Sequence, residues 1–523
     1  MLARIKGLVR NLAIYGLGDV ATSLVSLLLL PVYTRYLSPE DYGVIAMLLT
    51  IEAVAKICFR WGVDTAFMRM YYDCADQSGR QRLASTIFFF LVAVNGSLLG
   101  LGVWGSGWLS ARLFGDGDQA LLIALMIANT FVVGFYFIPF QVLRINEKSR
   151  AFIALVFGRS AGTLVARLVL VIGLQMGVLG IVVADVLVTG IFTLVMTRWF
   201  APLIRPVFSK ALMRQALGFG LPRIPHSIAH QVIGVADRYF LNAFATLRDV
   251  GLYSIGATFG LALKLFLSAF EYAWTPFFLG VMKEPDAKQI YSKVSTYVVA
   301  VLVLLVAILC AIAPDLIRLT TEAEFHAAAA VTPWIALGVM FQGLYLVGSI
   351  GLIITRRTSR YPLATGIAAA ASVTANVILI PRFGSLGAAW SQTIAYATLA
   401  AVTVTLSWRV YPIPYEWGRL ARIAAAGAVA FLATTLVPAG IGPVVGILLN
   451  GIVASATYGA LLFVAGFFHS GELRVLNEVR LRVTTRTGPP APQPETNQVE
   501  MAGGLIDTPP EPPVSVDSPA RRR

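Results

Sequence analysis

Long apolar runs separated by short polar segments make up most of this chain. Fourteen stretches long enough to cross a bilayer as α-helices run near 12–34, 42–63, 83–108, 120–143, 151–173, 177–198, 214–240, 250–281, 294–313, 328–354, 361–381, 385–408, 420–438 and 441–468. The pattern predicts an all-α polytopic membrane protein with about fourteen transmembrane helices. Composition agrees: 57% of the 523 residues are hydrophobic and only 13% charged, and the mean hydropathy is +0.75, above what a soluble domain tolerates. After residue 470 the composition shifts to the proline-rich stretch TGPPAPQPETNQVEMAGGLIDTPPEPPVSVDSPARRR, so residues 471–523 are expected to form a disordered tail.

A net charge of +14 raises nucleic acid as a partner, but the placement of the basic residues gives a different reason for it. With the N-terminus cytoplasmic, 29 of the 41 Lys and Arg fall in cytoplasmic segments. Six (Arg35, Arg112, Arg238, Arg248, Arg318 and Arg382) fall in outside loops, and six lie within spans. That asymmetry is the positive-inside rule, and it predicts that both termini are cytoplasmic without invoking nucleic acid. Cys58, Cys74 and Cys310 lie in spans or on the cytoplasmic side, without metal-ligand spacing, so neither a disulfide framework nor a metal site is expected. MLARIKGLVR has a basic start, yet the apolar run after it is long and lacks a small-residue cleavage site; it reads as an uncleaved first span.

The chain repeats itself. SPEDYGVIAM (38–47) aligns with TLRDVGLYSI (246–255) at an offset of 208. Ser149-Arg150 recurs as Ser359-Arg360, and GVLGIVVADVL (177–187) recurs as GSLGAAWSQTI (384–394). Three matches in order, at nearly one offset, indicate duplication of a six-span unit. Because six is even, both copies start on the same side of the membrane, a parallel repeat. The expected architecture is an N-terminal lobe (1–200, spans 1–6), a C-terminal lobe (201–412, spans 7–12), a cleft between them, and an extra helix pair (413–470, spans 13–14). Such lobes can rock about a site in mid-membrane to give alternating access.

Ionisable residues in the spans are concentrated. Spans 1, 2, 5, 6, 7 and 8 carry Asp19; Glu52, Lys56 and Arg60; Arg159 and Arg167; Asp185; Arg223, His226 and His230; and Lys264 and Glu271. A charge at mid-bilayer costs about 2.5–3.5 kcal/mol even on the lenient insertion scale, so each should face a partner or a wet cavity. In IEAVAKICFRWGVD (51–64) the charges Glu52, Lys56, Arg60 and Asp64 recur every four residues and form one stripe along a helix. Glu52 before Lys56 is also the favourable order for an ion pair within the helix, so pairing and cleft-facing readings both stand. Arg159 and Arg167 have no acid in their own span and are expected to face a cavity, with pairing to an acid of another helix as the alternative. Arg223 lies in LPRIPHSIAH, where Pro222 and Pro225 disrupt helical hydrogen bonding. The His226/His230 pair lacks a third metal ligand, which leaves proton sensing or plain hydrogen bonding. Asp19, Glu52 and Glu271 are deep enough to carry a coupling H+ or Na+, or to neutralise a neighbouring cation.

Three stretches, YTRYLSPEDYGVIAM, ADRYFLNAFATLRDVGLYSIGATF and NVILIPRFGSLGAAWSQTIAY, resemble the polysaccharide-transport, O-antigen flippase type family of the multidrug/oligosaccharidyl-lipid/polysaccharide exporter superfamily. The resemblance spans about residues 8–470. It implies a flippase, not an enzyme, that moves an undecaprenyl-pyrophosphate-linked oligosaccharide from the cytoplasmic to the periplasmic leaflet, and polysaccharide assembly proteins as further partners. Basic residues in the cleft would neutralise the pyrophosphate through charge-assisted hydrogen bonds while the polyprenyl tail stays in lipid. By charge and depth the candidates are Arg159, Arg167, Arg223 and Lys264, with Arg60 and Lys56 near the cytoplasmic mouth. Two rivals within the superfamily remain, a peptidoglycan-precursor flippase and a multidrug or cation antiporter. A polytopic glycosyltransferase or polymerase is disfavoured because every predicted outside loop is short; Asp41 next to Glu40 is explained by capping a helix start, as is its repeat copy Asp249.

Overall fold

A computed structural model describes residues 29–468 apart from 75, 116, 147 and 439, together with the side chains of those residues other than 149, 223 and 358. Most of span 1, including Asp19, and the proline-rich tail lie outside the described residues. The described chain is helical, with no strand among those residues. Nine helical stretches in it are long and apolar enough to cross a membrane, ten if a pair bent by 45° (Leu247–Gly260 with Leu263–Val281) counts as one span. The number fourteen is therefore an expectation for the whole chain, whereas the all-helical, multi-span architecture is established. After the end of a first helix α1, described at 29–33, the elements follow in chain order.

Helix α2 (Pro39–Arg60) begins with a capping box in which the Ser38 hydroxyl accepts from the Asp41 amide and the Asp41 carboxylate accepts from the Ser38 amide. The repeat copy does the same: Thr246 and Asp249 cap α12 (Leu247–Gly260). Each cap contributes about 1 kcal/mol to its helix start, which accounts for the recurrence of Asp41 as Asp249. α2 stops at Trp61 and Gly62, both with left-handed φ (51° and 66°), before α3 (Val63–Asp73) continues the span. The break frees the Phe59 carbonyl, and Asn95 of α4 (Gln77–Trp104) repairs it: its Nδ2 donates to Phe59 O at 2.7 Å while its Oδ1 accepts from Trp61 Nε1 at 2.9 Å. A broken helix is tolerated at membrane depth when its freed groups are satisfied in this way.

The first copy continues with α5 (Ser106–Phe114), α6 (Ala120–Val133), α7 (Phe137–Ile145), α8 (Ser149–Leu168), extended by a π-helical turn at Val169–Gly173, and α9 (Gly177–Phe200). Span 7 is split as its prolines predict, into α10 (Lys210–Gly220) and α11 (Ile224–Phe244) across a 3₁₀ turn at Leu221–Arg223. The second half runs to Phe244, beyond the limit of 240 expected from the sequence. The bent pair is α12 with α13 (Leu263–Val281), followed by α14 (Ala287–Thr320), α15 (Thr332–Gly348) and the short α16 (Ile350–Ile354). The continuous stretch α17 (Tyr361–Trp408) contains two spans, because Gly384 (φ 53°, ψ −128°) turns the chain back on itself. A Cβ at Gly387 would lie 2.6 Å from the carbonyl carbon of Leu379, whereas eight residues of straight helix span about 12 Å.

Packing cuts across the connectivity. The first half of span 7 packs with the first copy: Met213 and Ala216 of α10 join Val63 and Phe67 of α3 and Leu83 and Ile87 of α4 in one buried cluster. The α9–α10 linker is tied to α4 as well, because Ser85 Oγ accepts from the Arg205 amide and Thr86 Oγ1 from the Ser209 amide. The second half, α11, packs on α17, with Ile233 against Ala364, Ala368 and Tyr396. The last pair, α18 (Trp417–Thr434) and α19 (Pro443–Val464), docks on α14. Tyr458 donates to Ala300 O at 2.8 Å, Gly446 makes room for the Asp315 carboxylate, and Arg419 is buried between Glu416 and the Phe467 ring. Small residues and polar pairs are the means by which helices adhere where lipid competes for every apolar surface.

Candidate functional site

The charge stripe of α2 lines cavities. Three cavities line up along this helix. The first, about 410 Å³, opens between α2 and the helices of its own copy: Glu52 and Leu49 face Asn129 of α6, Arg159, Ser160, Thr163 and Arg167 of α8, and Asp185 of α9. The second, about 460 Å³, lies between Lys56, Arg60, Gly62, Asp64 and Thr65 on one side and Ile224, Ser227 and Gln231 of α11 on the other. The third, about 320 Å³, lies between Tyr42, Ala46 and Thr50 of α2 and Val235, Arg238, Ser254 and Thr258 of α11 and α12. α2 is thus a common wall, and the second and third cavities lie between helices of the two repeats.

The stripe resolves into pairs. Lys56 Nζ lies 2.7 Å from Glu52 Oε1, and Arg60 NH1 lies 3.9 Å from Asp64 Oδ2, both at i,i+4 spacing. Both cations also line the second cavity, so the pairing and cavity-facing readings are satisfied together. Arg167 is held in a fork-on-fork pair with Asp185, with Nε to Oδ1 at 3.0 Å and NH2 to Oδ2 at 2.7 Å. Its partner comes from the neighbouring helix α9, which explains how it sits in the membrane without an acid on its own span. Arg159 differs from these three. Its guanidinium lies over the Tyr136 ring at 5.4 Å, and no ion-pairing carboxylate accompanies it among the described residues. The first cavity therefore holds two carboxylates, one Arg that neutralises one of them, and a second Arg with no ion-pair partner among the described residues.

The remaining candidates lie elsewhere. Arg223 closes the 3₁₀ turn between α10 and α11, and its side chain is outside the description. Lys264 follows the α12–α13 break and lines none of these three cavities; its charge is in electrostatic reach of Asp237 and Arg238. Glu271 is exposed on α13, also away from them. His226 Nδ1 is 3.0 Å from Thr365 Oγ1, so one nitrogen of the pair is taken up by hydrogen bonding to α17.

Two residues stand out that the span pattern did not single out. Asp237 is buried, 3% exposed, and accepts a hydrogen bond from Tyr253, whose hydroxyl also approaches Gln392 Oε1 at 3.3 Å. Arg238, counted above as an outside-loop cation, is instead within α11, lies over the Tyr253 ring and lines the third cavity. The sequence held a signal for both: the helical pattern of span 7 continues past 240, and both residues belong to the stretch ADRYFLNAF quoted for the family resemblance.

Close backbone approaches hold α2 and its break against two other helices. At one end α2 crosses α12, and a Cβ on Gly43 would lie 2.8 Å from the Leu247 carbonyl carbon, while one on Gly251 would lie 2.9 Å from that of Pro39. At the other end a Cβ on Gly62 would lie 2.6 Å from Gly220 O. Arg69 of α3 covers the Phe219 ring of α10 near this second contact.

Comparison with known proteins agrees with this geometry. The profile of the polysaccharide biosynthesis protein family matches residues 8–282, more than half of the chain. Protein 1 of the Lsg locus of Haemophilus influenzae is 23% identical over 282 residues, covering 53% of this chain and 67% of that protein. Among solved structures, the lipid II flippase MurJ in an inward closed conformation superposes with a TM-score of 0.70 at 14% identity, over 86% of this chain and 99% of its own. An inward-facing multidrug resistance transporter of the MATE family in the MOP superfamily superposes with a TM-score of 0.59 at 12% identity, over 77% and 96%. At these identities the likeness is one of fold.

Proposed function

This chain belongs to the polysaccharide biosynthesis protein family, and we propose that it is a flippase, not an enzyme, carrying an undecaprenyl-pyrophosphate-linked oligosaccharide from the cytoplasmic to the periplasmic leaflet of a bacterial inner membrane. The observation that carries this reading is the cationic wall of α2 and α8. Lys56 and Arg60 line a polar cavity between the two repeats and Arg159 lines a second one within the first copy, and among the described residues no carboxylate forms an ion pair with Arg159. A pyrophosphate suits such a wall because guanidinium and ammonium groups bind phosphate oxygens through short, charge-assisted hydrogen bonds. Arg167 positions the wall through Asp185; Arg223 and Lys264 are held as secondary contacts.

In the orientation proposed from the loop charges, both termini are cytoplasmic and the Gly43–Gly251 crossing is the periplasmic closure. The lobes 1–200 and 201–412 rock about the cleft in this reading, with the 3₁₀ turn at 221–223 between them because α10 packs with the first copy. Asp19, Glu52 and Glu271 are the proposed carriers of a coupling H+ or Na+. Polysaccharide assembly proteins are the proposed partners that supply and consume the lipid-linked cargo.

The test is deletion of the protein, with mass spectrometry of polyprenyl-linked sugars in each leaflet. Accumulation of a repeat unit in the inner leaflet is expected. Accumulation of a peptidoglycan precursor would favour the second reading supported by the MurJ-like fold, and unchanged lipid-linked sugars with altered drug resistance would overturn both. Arg159→Ala is expected to lower transport by about ten- to a hundredfold, the worth of one charge-assisted phosphate contact, with normal insertion. Normal export by Arg159→Ala would remove it from the site.

A further inference from the structure

The turns that start the second span of each repeat meet each other across the cleft. Ser38–Gly43 and Thr246–Gly251 are counterparts at the offset of 208, and both cap their helices in the same way. Their contacts are reciprocal: Gly43 lies against Leu247, and Gly251 against Pro39, which is the counterpart of Leu247. A local twofold therefore relates the two turns, and each position near the axis faces its own copy. With identical copies, position 40 would meet a like charge. Here the copies have diverged to Glu40 and Arg248, and Arg248 NH1 lies 3.5 Å from Glu40 Oε1.

Arg248 does nothing for its own helix. It is the second residue of α12, where a cation opposes the positive end of the helix dipole, whereas Glu40 at the same place in α2 is favoured by it. The compensation for Arg248 comes from across the crossing. Two further contacts tie the same end: Arg35 Nε to Glu322 Oε1 at 3.6 Å, and Asn242 Nδ2 donating to Leu113 O at 2.6 Å. Directly beneath the crossing lies the third cavity, with Tyr42 on α2 and Thr258 on α12.

We propose that Glu40 and Arg248 form a latch, built from one diverged position of the repeat, that holds the α2–α12 crossing closed and sets how often the cleft opens at this end. The inference rests on the alternating-access reading above. The partners are half exposed, 51% and 48%, so the pair biases the equilibrium without clamping it, as a contact broken in every cycle must. Reversing either charge replaces attraction by repulsion and raises the open fraction by about two- to tenfold.

The experiment uses the full chain with Cys58, Cys74 and Cys310 replaced by Ala and Thr258→Cys as reporter. In intact cells a membrane-impermeant maleimide is added from outside, and the labelling rate is measured for Glu40→Arg, Arg248→Glu, the double exchange, and the neutral Glu40→Gln/Arg248→Gln. Both single reversals are expected to label two- to tenfold faster, the neutral variant to fall between them and the parent, and the double exchange to return to the parental rate, since it restores the pair and leaves the summed dipole terms unchanged. Unchanged rates in the single variants, or a double exchange as fast as the singles, would overturn the latch. Labelling needs no cargo, so a latch that responds as expected in a protein whose deletion leaves lipid-linked sugars unaltered would refute the proposed cargo and support the latch.

Discussion

Replacing Asp185 by Ala isolates the role of the best-formed ion pair in the first cavity. Asp185 and Arg167 make two parallel hydrogen bonds at 3.0 and 2.7 Å, and their side chains are only 20% and 27% exposed. Removing one partner of a fully buried pair costs about 3–5 kcal/mol because it strands a charge. Residual exposure to the cavity lets water solvate part of Arg167, so about 2–3 kcal/mol is the expected loss for Asp185→Ala. That is roughly a factor of 30 to 150 in the folded-to-unfolded ratio. Arg167→Ala strands the carboxylate, with a comparable loss. The double variant Arg167→Ala/Asp185→Ala leaves no unpaired charge and is expected to recover most of the loss. The assay is the fraction of detergent-purified protein that stays monodisperse after heating, measured for parent, singles and double. If the double is no more stable than the less stable single, the pair is not a coupled unit. If Asp185→Ala is as stable as the parent, Arg167 has another partner and the account of how it resides in the membrane is refuted.

Two further predictions concern the helix pair and the start of α4. Gly446→Ala places a methyl group against the Asp315 carboxylate, 2.8 Å from its carbon, and is expected to weaken the docking of α19 on α14 by about 1–3 kcal/mol; adding Asp315→Ala should recover heat resistance, and a double variant no better than Gly446→Ala would refute the contact. Asp76, exposed at the N-cap of α4, accepts from the Ser78 hydroxyl at 2.6 Å and from the Gly79 amide at 2.9 Å, which hold its carboxyl below the usual carboxylate range. A depressed folded value means the stabilisation is present above the unfolded carboxylate pKa and is lost as pH falls through the folded one. Fraying of 77–82 should therefore set in below about pH 4, read by amide exchange corrected for its intrinsic acid dependence. Asp76→Asn, which caps without titrating, should abolish that dependence; an unchanged acid response would remove Asp76 as its cause.

The residues that the sequence marked as buried charges divide by what local spacing can encode. Glu52 with Lys56 on α2, and Arg60 with Asp64 across the break at Trp61 and Gly62, are four apart in the chain, and their pairing was open to inspection before any fold was known. Arg167 with Asp185 lies on two antiparallel neighbours, and its partner emerges only when α8 and α9 pack. Asp237 and Arg238 read as the end of a span next to a loop, yet α11 continues to Phe244 and α12 and α17 enclose Asp237.

Hydropathy, loop charge and the repeat are properties of short windows or of one offset, so the sequence alone determined the all-helical membrane class, carried the expectations of orientation and duplication, and marked the break in span 7 at its prolines and the separate spans 361–381 and 385–408. Which surfaces meet is a property of pairs distant in the chain. Only the tertiary structure decided that α10 packs with the first copy, that α2 lines all three cavities, that α18 and α19 dock on α14, and that Glu40 faces Arg248 across the crossing. In lipid, helices have little hydrophobic reason to choose one neighbour over another; the choice falls to glycines that let backbones touch and to polar groups that must find a partner, and those are settled by position in space.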